Sequence, residues 1–376
     1  MIQNPLYILT VLCGLIFISE WLTKNTFLKH ISGPLLVIIL GAVLANLGLI
    51  PSASNASPVY DSIFKYVAPA SIFYLLLGVN LKELKKAGLP MLMAFVLGAL
   101  GTVIGVVIAL NLIDYQEVFG KNYAAIAGMM TGTYTGGSAN FNAVALHYDV
   151  VREGAIYTGI VVADNIVTAI WMLVTLSLPA VMMKFRPHKE LMMKEQGEID
   201  QYTEREHVGP LRLGLMLFIG LAAMMVSDLL AEETAIPSVL ILTTIALILA
   251  QMKLIQKIPG AKLLGMFAVY MFLVVVGAFC ELTALVEVGE HAVSILLFTV
   301  TIVLVHGAFL VLMAMILKSD WSIVAIASQA NIGGASTALA LAKSFKRNDL
   351  LLPAILAGSL GTGLGTYLGF LVAGLV

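Results

Sequence analysis

The sequence predicts an all-α polytopic membrane protein built from two inverted repeats. Three observations carry that expectation. The 376 residues are 60% hydrophobic and only 11% charged, with a mean hydropathy of +0.98, whereas soluble domains carry about 25% charged residues. Apolar runs of the roughly 17 to 25 residues that span a bilayer as helix recur along the whole chain. Two of these runs, one in each half, carry a Gly-Gly interruption, and paired interruptions of this kind point to a transporter binding site.

In chain order the runs are Leu6–Leu22, Gly33–Ile50, Ile63–Leu81, Leu89–Ile113, Tyr123–Leu146 and Ala155–Met183, then Leu211–Leu230, Ser238–Ile255, Leu263–Leu282, Ala292–Leu317, Ser322–Ala342 and Leu351–Val376. Pro and Gly mark the joints at Gly33-Pro34, Ile50-Pro51, Leu89-Pro90, Ile236-Pro237 and Pro259-Gly260. The first run has no basic residue before it, so it reads as a retained span rather than a signal peptide. Residues 184–210 form the only long polar segment, a linker with room for a short surface helix. The net charge of −1 excludes a basic field for nucleic acid. The two cysteines, Cys13 and Cys280, suggest neither a disulfide framework nor a metal cluster.

The halves echo each other. Ser19-Glu20 closes the first run and Ser227-Asp228 the seventh. Pro34 and Pro237, Gly78 and Gly277, and Gly136 and Gly333 pair at offsets of 203, 199 and 197 residues. Lys24, Lys29, Lys82, Lys85 and Lys86 follow the first and third runs and mark the cytoplasmic side. Lys253, Lys257 and Lys262 follow the eighth run, and Glu281, Glu287 and Glu290 follow the ninth, so the second half reads as inverted. Two conflicts remain. Inversion needs an odd number of crossings per half and six are counted, and Lys343, Lys346 and Arg347 fall on the wrong side.

The interruptions read TGTYTGGSANFN (Thr131–Asn142) and QANIGGAST (Gln329–Thr337). Non-helical backbone at membrane depth is tolerated only where protein buries it or it lines a cavity. A second half-helix offers free N–H groups and a positive dipole to an anion, and unwound carbonyls suit a cation. Gly136, Gly137, Gly333 and Gly334 form the breaks. Ser138, Asn140, Ser336 and Thr337 stand where they cap the second half-helices, and Thr133, Thr135, Asn142, Gln329 and Asn331 add oxygens of the kind hard cations prefer. The bland alternative is ordinary small-residue and hydroxyl packing between helices. Asp164 is the one carboxylate well inside a run, and intramembrane acids are functional candidates by default. Asn165 follows it, Thr168 shares its face, and Thr362 holds the matching place in the second half. A sodium ion, the only cofactor expected, would sit among Thr133, Thr135, Asp164, Gln329 and Asn331. His306 and Trp171 read as satisfied packing residues.

On the motifs Thr131–Ala145, Ala327–Ala342 and Leu75–Leu84, the chain resembles the bacterial membrane family catalogued as domain of unknown function 819. That family is similar to the superfamily joining cation:proton antiporters to sodium-coupled anion transporters. The resemblance implies a bacterial cytoplasmic membrane, a homodimer, and a panel domain (1–81 and 211–282) beside a core domain (88–183 and 288–376). It also implies two crossed discontinuous helices in the core. One departure is that Tyr123–Leu146 lacks the carboxylate that antiporters carry on the first broken helix.

The expected function is secondary transport of a small solute, coupled to sodium or protons. No Walker motif for ATP drive is present, nor HExxH or GxSxG for an enzyme. The alternatives are the membrane subunit of an ion-pumping complex and a passive channel.

Overall fold

A computed structural model describes residues 3–26, 33–79, 81–185, 209–234, 236–256, 258–281 and 289–376. Most of the polar linker, with its expected surface helix, lies outside the described residues, as do Lys29, Lys257 and Glu287. Every described segment of regular structure is helical. Seven described helices are long and apolar enough to cross a membrane. The remaining apolar runs are shorter or interrupted, for reasons visible in the packing.

The first half begins with α1 (Pro5–Asn25) and α2 (Gly33–Asn46). They run antiparallel: the Tyr7 hydroxyl donates to the Leu49 carbonyl at 2.9 Å, and Ser19 Oγ donates to the Gly33 carbonyl at 2.9 Å. The third run is α3 (Pro58–Ser62), a π-helical turn (Ile63–Val67) and α4 (Ala68–Leu76). Next come α5 (Leu89–Leu112) and a short α6 (Tyr115–Phe119). Then follow α7 (Tyr123–Gly136), α8 (Ser138–His147) and α9 (Gly154–Phe185). The second half comprises α10 (Pro210–Thr234), α11 (Ser238–Ala250), α12 (Lys253–Gln256), α13 (Ala261–Ala278) and α14 (Ala292–Leu317). It closes with α15 (Trp321–Ile332), α16 (Gly334–Ser344) and α17 (Leu351–Leu375).

Corresponding helices of the two halves run in opposite directions. Along α5 and α14, Gly98 faces His306 while Gly105 faces Ile302. In the third and ninth segments, Tyr60 stacks edge-on against Phe279, while Leu75 packs at Gly265. Small contacts repeat as well: Ser227 Oγ donates to the Ser238 carbonyl at 3.2 Å, as Ser19 does to that of Gly33.

The interrupted helices correct one expectation. They do not continue across; each folds back on itself as a hairpin. In the first, a Cβ built on Gly132 would meet Asn140 at 3.2 Å, and one on Gly128 would meet Val144 at 3.2 Å. In a continuous helix such pairs stand about 12 Å or more apart. The base of this hairpin is closed by Lys121–Glu153 at 3.6 Å. The base of the second is closed by Arg347–Asp320 at 3.0 Å. The physical reason is the turn itself. Gly137 has φ +95° and Gly334 has φ +78°, a region open to glycine at little cost. One such residue reverses the chain with almost no unwound backbone.

Both conflicts in the sequence then resolve. Among the described residues each half has five segments running end to end plus one hairpin, an odd number of end-to-end segments. The second hairpin returns Lys343, Lys346 and Arg347 to the end of the bundle that holds Lys24, Lys85, Lys86, Lys253 and Lys262. Lys121 and Arg152 mark the opposite end.

Candidate functional site

The two hairpins enter from opposite ends, and their tips meet on one turn of α17. Thr362 Oγ1 donates to the Gly136 carbonyl at 3.3 Å and to that of Gly358 at 3.0 Å. A Cβ on Gly358 would lie 2.5 Å from the Ala335 nitrogen, so the same turn abuts the second tip. A side chain on Gly136 would overlap the Gly361 carbonyl group. Glycine is required here by close approach, whereas at Gly137 and Gly334 it is required by positive φ, with nothing within 4 Å.

The first hairpin is fastened to α17 along its length. A Cβ on Gly369 would lie 2.7 Å from the Gly128 oxygen, and one on Gly365 would lie 2.7 Å from the Gly132 oxygen. Gly at every fourth position lets the two backbones touch. Asn140 is held on the same helix: Thr366 Oγ1 donates to its Oδ1 at 2.7 Å, and its Nδ2 reaches the Gly361 carbonyl at 3.4 Å. Asn142 accepts from the Tyr157 hydroxyl.

The second hairpin is held by side chains. Thr175 Oγ1 donates to Gln329 Oε1 at 3.1 Å, and Asn331 Nδ2 donates to the Phe95 carbonyl at 3.1 Å. Ser328 Oγ accepts from Trp171 Nε1 at 2.9 Å and lies 2.9 Å from His306 Nε2. His306 Nδ1 lies 2.8 Å from the Gly98 carbonyl, which only accepts. Nδ1 therefore carries the proton, and Nε2 accepts from Ser328. Both ring nitrogens are occupied, as expected for a packing histidine.

Several polar atoms at the tips have no partner. Thr135 Oγ1, Gln329 Nε2 and Asn331 Oδ1 are buried and unbonded. Buried polar groups are normally satisfied, so each such atom needs an explanation, a ligand among them. Thr133 is also buried, Gly137, Gly333, Thr337 and Thr362 are half-buried, and Ser138 and Ser336 are exposed. The expected capping is absent. Neither α8 nor α16 has a side chain bonded at its N-terminus, because Asn140 is committed to α17 and Thr337 Oγ1 donates to the Gly334 carbonyl at 3.0 Å. Two half-helices thus present uncapped N–H groups.

Asp164 and its neighbour Asn165 are half-buried on α9. Val162, Ile166, Ile170 and Leu173 form the exposed stripe of that helix. At 100° per residue Asp164 and Thr168 lie nearly opposite the stripe, facing inward. Thr168 Oγ1 donates to Asp164 Oδ1 at 3.2 Å. The hydroxyl of Tyr134 stands beside the carboxylate. The five-residue sodium set does not converge. Gln329 bonds to α9 at Thr175, eleven residues beyond Asp164 and so roughly 16 Å along the helix. Among the described residues no group of three or more His, Cys, Asp or Glu side chains is placed to hold a metal.

Sequence reading passed over Tyr134, Ser328, Thr366 and Tyr157. Tyr134 and Ser328 lie in or beside the interrupted motifs, where a count of small hydroxyls and amides overlooks an aromatic hydroxyl. Thr366 and Tyr157 carry no local signal.

The model of the family described as "Protein of unknown function (DUF819)" matches residues 7–376. The chain is 27% identical over 382 residues to the uncharacterized membrane protein YjcL of Bacillus subtilis (strain 168), covering 94% of this chain and 93% of that one.

Proposed function

We propose that this chain, which belongs to the DUF819 family of membrane proteins, is a secondary active transporter of a small solute, driven by a cation gradient. The observation that supports this most is the meeting of the two hairpin tips, from opposite ends, on one turn of α17 beside unpartnered buried polar atoms. Such a site can be opened to either side by small movements at one or other hairpin. The uncapped N-termini of α8 and α16 favour negative charge, so the cargo is read as an organic anion. Residues 88–183 and 288–376 act as the moving core and residues 1–81 and 211–282 as the panel, which also holds a second copy of the chain. The lysine-rich end faces the cytoplasm, in a bacterial inner membrane.

Flux across proteoliposomes tests this reading. A carrier saturates with solute and shows counterflow; linear flux without counterflow would identify a channel. Flux that appears only with a soluble partner would identify an ion-pump subunit. The solute is found first by thermal-shift screening, since a specific binder stabilises the folded state by RT ln(1 + [L]/Kd).

A further inference from the structure

We propose that His306 is a positioning residue that joins the two hairpins through one buried hydrogen-bonded bridge, so that loosening either tip loosens the other. The bridge starts on α9. Trp171 Nε1 donates to Ser328 Oγ at 2.9 Å, and Ser328 belongs to α15, the first arm of the second hairpin. His306 Nε2 lies 2.9 Å from the same oxygen. Across the ring, Nδ1 lies 2.8 Å from the Gly98 carbonyl and 3.1 Å from Thr102 Oγ1, both on α5. Thr102 Oγ1 in turn donates to the Tyr134 carbonyl of α7 at 2.9 Å.

Each proton in the bridge has one place to go. An indole N–H only donates, so Ser328 accepts from Trp171 and its own proton turns to Nε2. The proton on Nδ1 is shared between the Gly98 carbonyl and the Thr102 oxygen, whose own proton is committed to Tyr134. The other tautomer would set a bare Nδ1 against the Gly98 carbonyl, acceptor against acceptor. Trp171, Ser328, His306, Thr102 and Tyr134 are all buried, so bulk water does not compete for these groups.

The bridge reaches both breaks. The Tyr134 carbonyl is one of the last four of α7, which lack amide partners within a helix that stops at Gly136. Thr102 takes the place of the missing amide. Ser328 stands one turn before Ile332, where α15 stops. Between them the frame is rigid. A Cβ on Gly101 would lie 3.1 Å from the His306 carbonyl oxygen, and one on Gly105 would lie 2.7 Å from that of Ile302. Backbone therefore packs on backbone between α5 and α14, and the ring has one hairpin fastened at each nitrogen.

The effect is mutual. A hairpin that withdraws leaves a buried donor or acceptor unpaired, which costs more than the bond itself contributed. The ring recovers a partner only by turning, and turning takes its other nitrogen away from the opposite hairpin. Linked hydrogen bonds also polarise one another, so losing one weakens the next. None of this depends on what is carried, and the bridge stands even if the transporter reading fails.

Hydrogen exchange read by mass spectrometry, on the full chain in lipid nanodiscs without solute, tests the bridge. Ser328→Ala cuts it at the second hairpin and Thr102→Val at the first. Each variant should speed exchange about tenfold at both tips, residues 134–140 and 330–336, because a buried group is left unpaired. The double variant should add little to either single one. Thr175→Val is the control: it frees Gln329 from α9 without removing a link of the bridge, and should loosen the second tip alone. Faster exchange confined to the substituted hairpin overturns the proposal. So does a double variant whose effect is the product of the two singles, since independent sites behave that way. Equal loosening of both tips in Thr175→Val overturns it as well, by showing general softening. Nitrogen-15 spectra of histidine-labelled protein, with the His306 signal identified by its loss in His306→Gln, should place the proton on Nδ1; a proton on Nε2 overturns the bridge. If Ser328→Ala fails to fold, the response of the second tip to Thr102→Val and the ring tautomer decide.

Discussion

The two hairpins are the same topological unit held by different physics. The first lies against α17 with backbone touching backbone at Gly128, Gly132 and Gly136, but its base is closed by solvent-exposed ion pairs. The second is held along its wall by Ser328, Gln329 and Asn331. Its base is closed by Arg347, buried between Asp320 at 3.0 Å and Asp349 at 2.7 Å. Hydrogen bonds donated to Asp349 and then to Asp320 hold the Arg347 guanidinium above its ordinary range, so it stays charged at every working pH. Helices in lipid have no hydrophobic drive to associate and rely on close packing or polar contacts. This protein uses close packing for one hairpin and polar contacts for the other. The first hairpin is therefore anchored along its backbone seam with α17 and the second at its base.

Four substitutions would break or sharpen that contrast. The largest effect is expected from Gly136→Leu. Its side chain falls on the Gly361 backbone, and neither helix has a flexible group to yield. Overpacking costs about 1–3 kcal/mol even where side chains adjust, so this variant should yield no folded protein by size-exclusion in detergent. Recovery of a monodisperse peak at the parent position would show that the zipper is loose.

Arg347→Ala comes next. It leaves two buried carboxylates without their cation, a loss of about 3–5 kcal/mol. Thermal unfolding should fall accordingly, and limited proteolysis should cut near the base of the second hairpin first. Unfolding within a degree of the parent would refute the buried anchor.

Gly334→Ala is milder. The space is open and only φ +78° is strained, at roughly 1–2 kcal/mol. The protein should fold and bind solute more weakly; unaltered binding would mean that the second tip is not pre-formed. The smallest effect belongs to Arg152→Ala. Its partners Asp61 and Asp149 are exposed, so the change should stay below about 1 kcal/mol and shrink further in high salt. A loss matching Arg347→Ala would erase the distinction between the two bases.

By itself the sequence determined the class, the apolar segments, the two interruptions and the place of Asp164. These depend on local quantities: hydropathy over one span, glycine at one position, one charge in an apolar run. Only the tertiary structure decided that the interrupted helices turn back. An apolar half-helix of Gly334–Ser344 has the same composition whether it continues across or reverses. The choice lies in the torsion of a single glycine and in contacts such as Gly132 against Asn140, which no local window contains. The same holds for the partners of Asp164. The rotation of α7 about its axis, set by its glycine seam with α17, brings Tyr134 to the carboxylate.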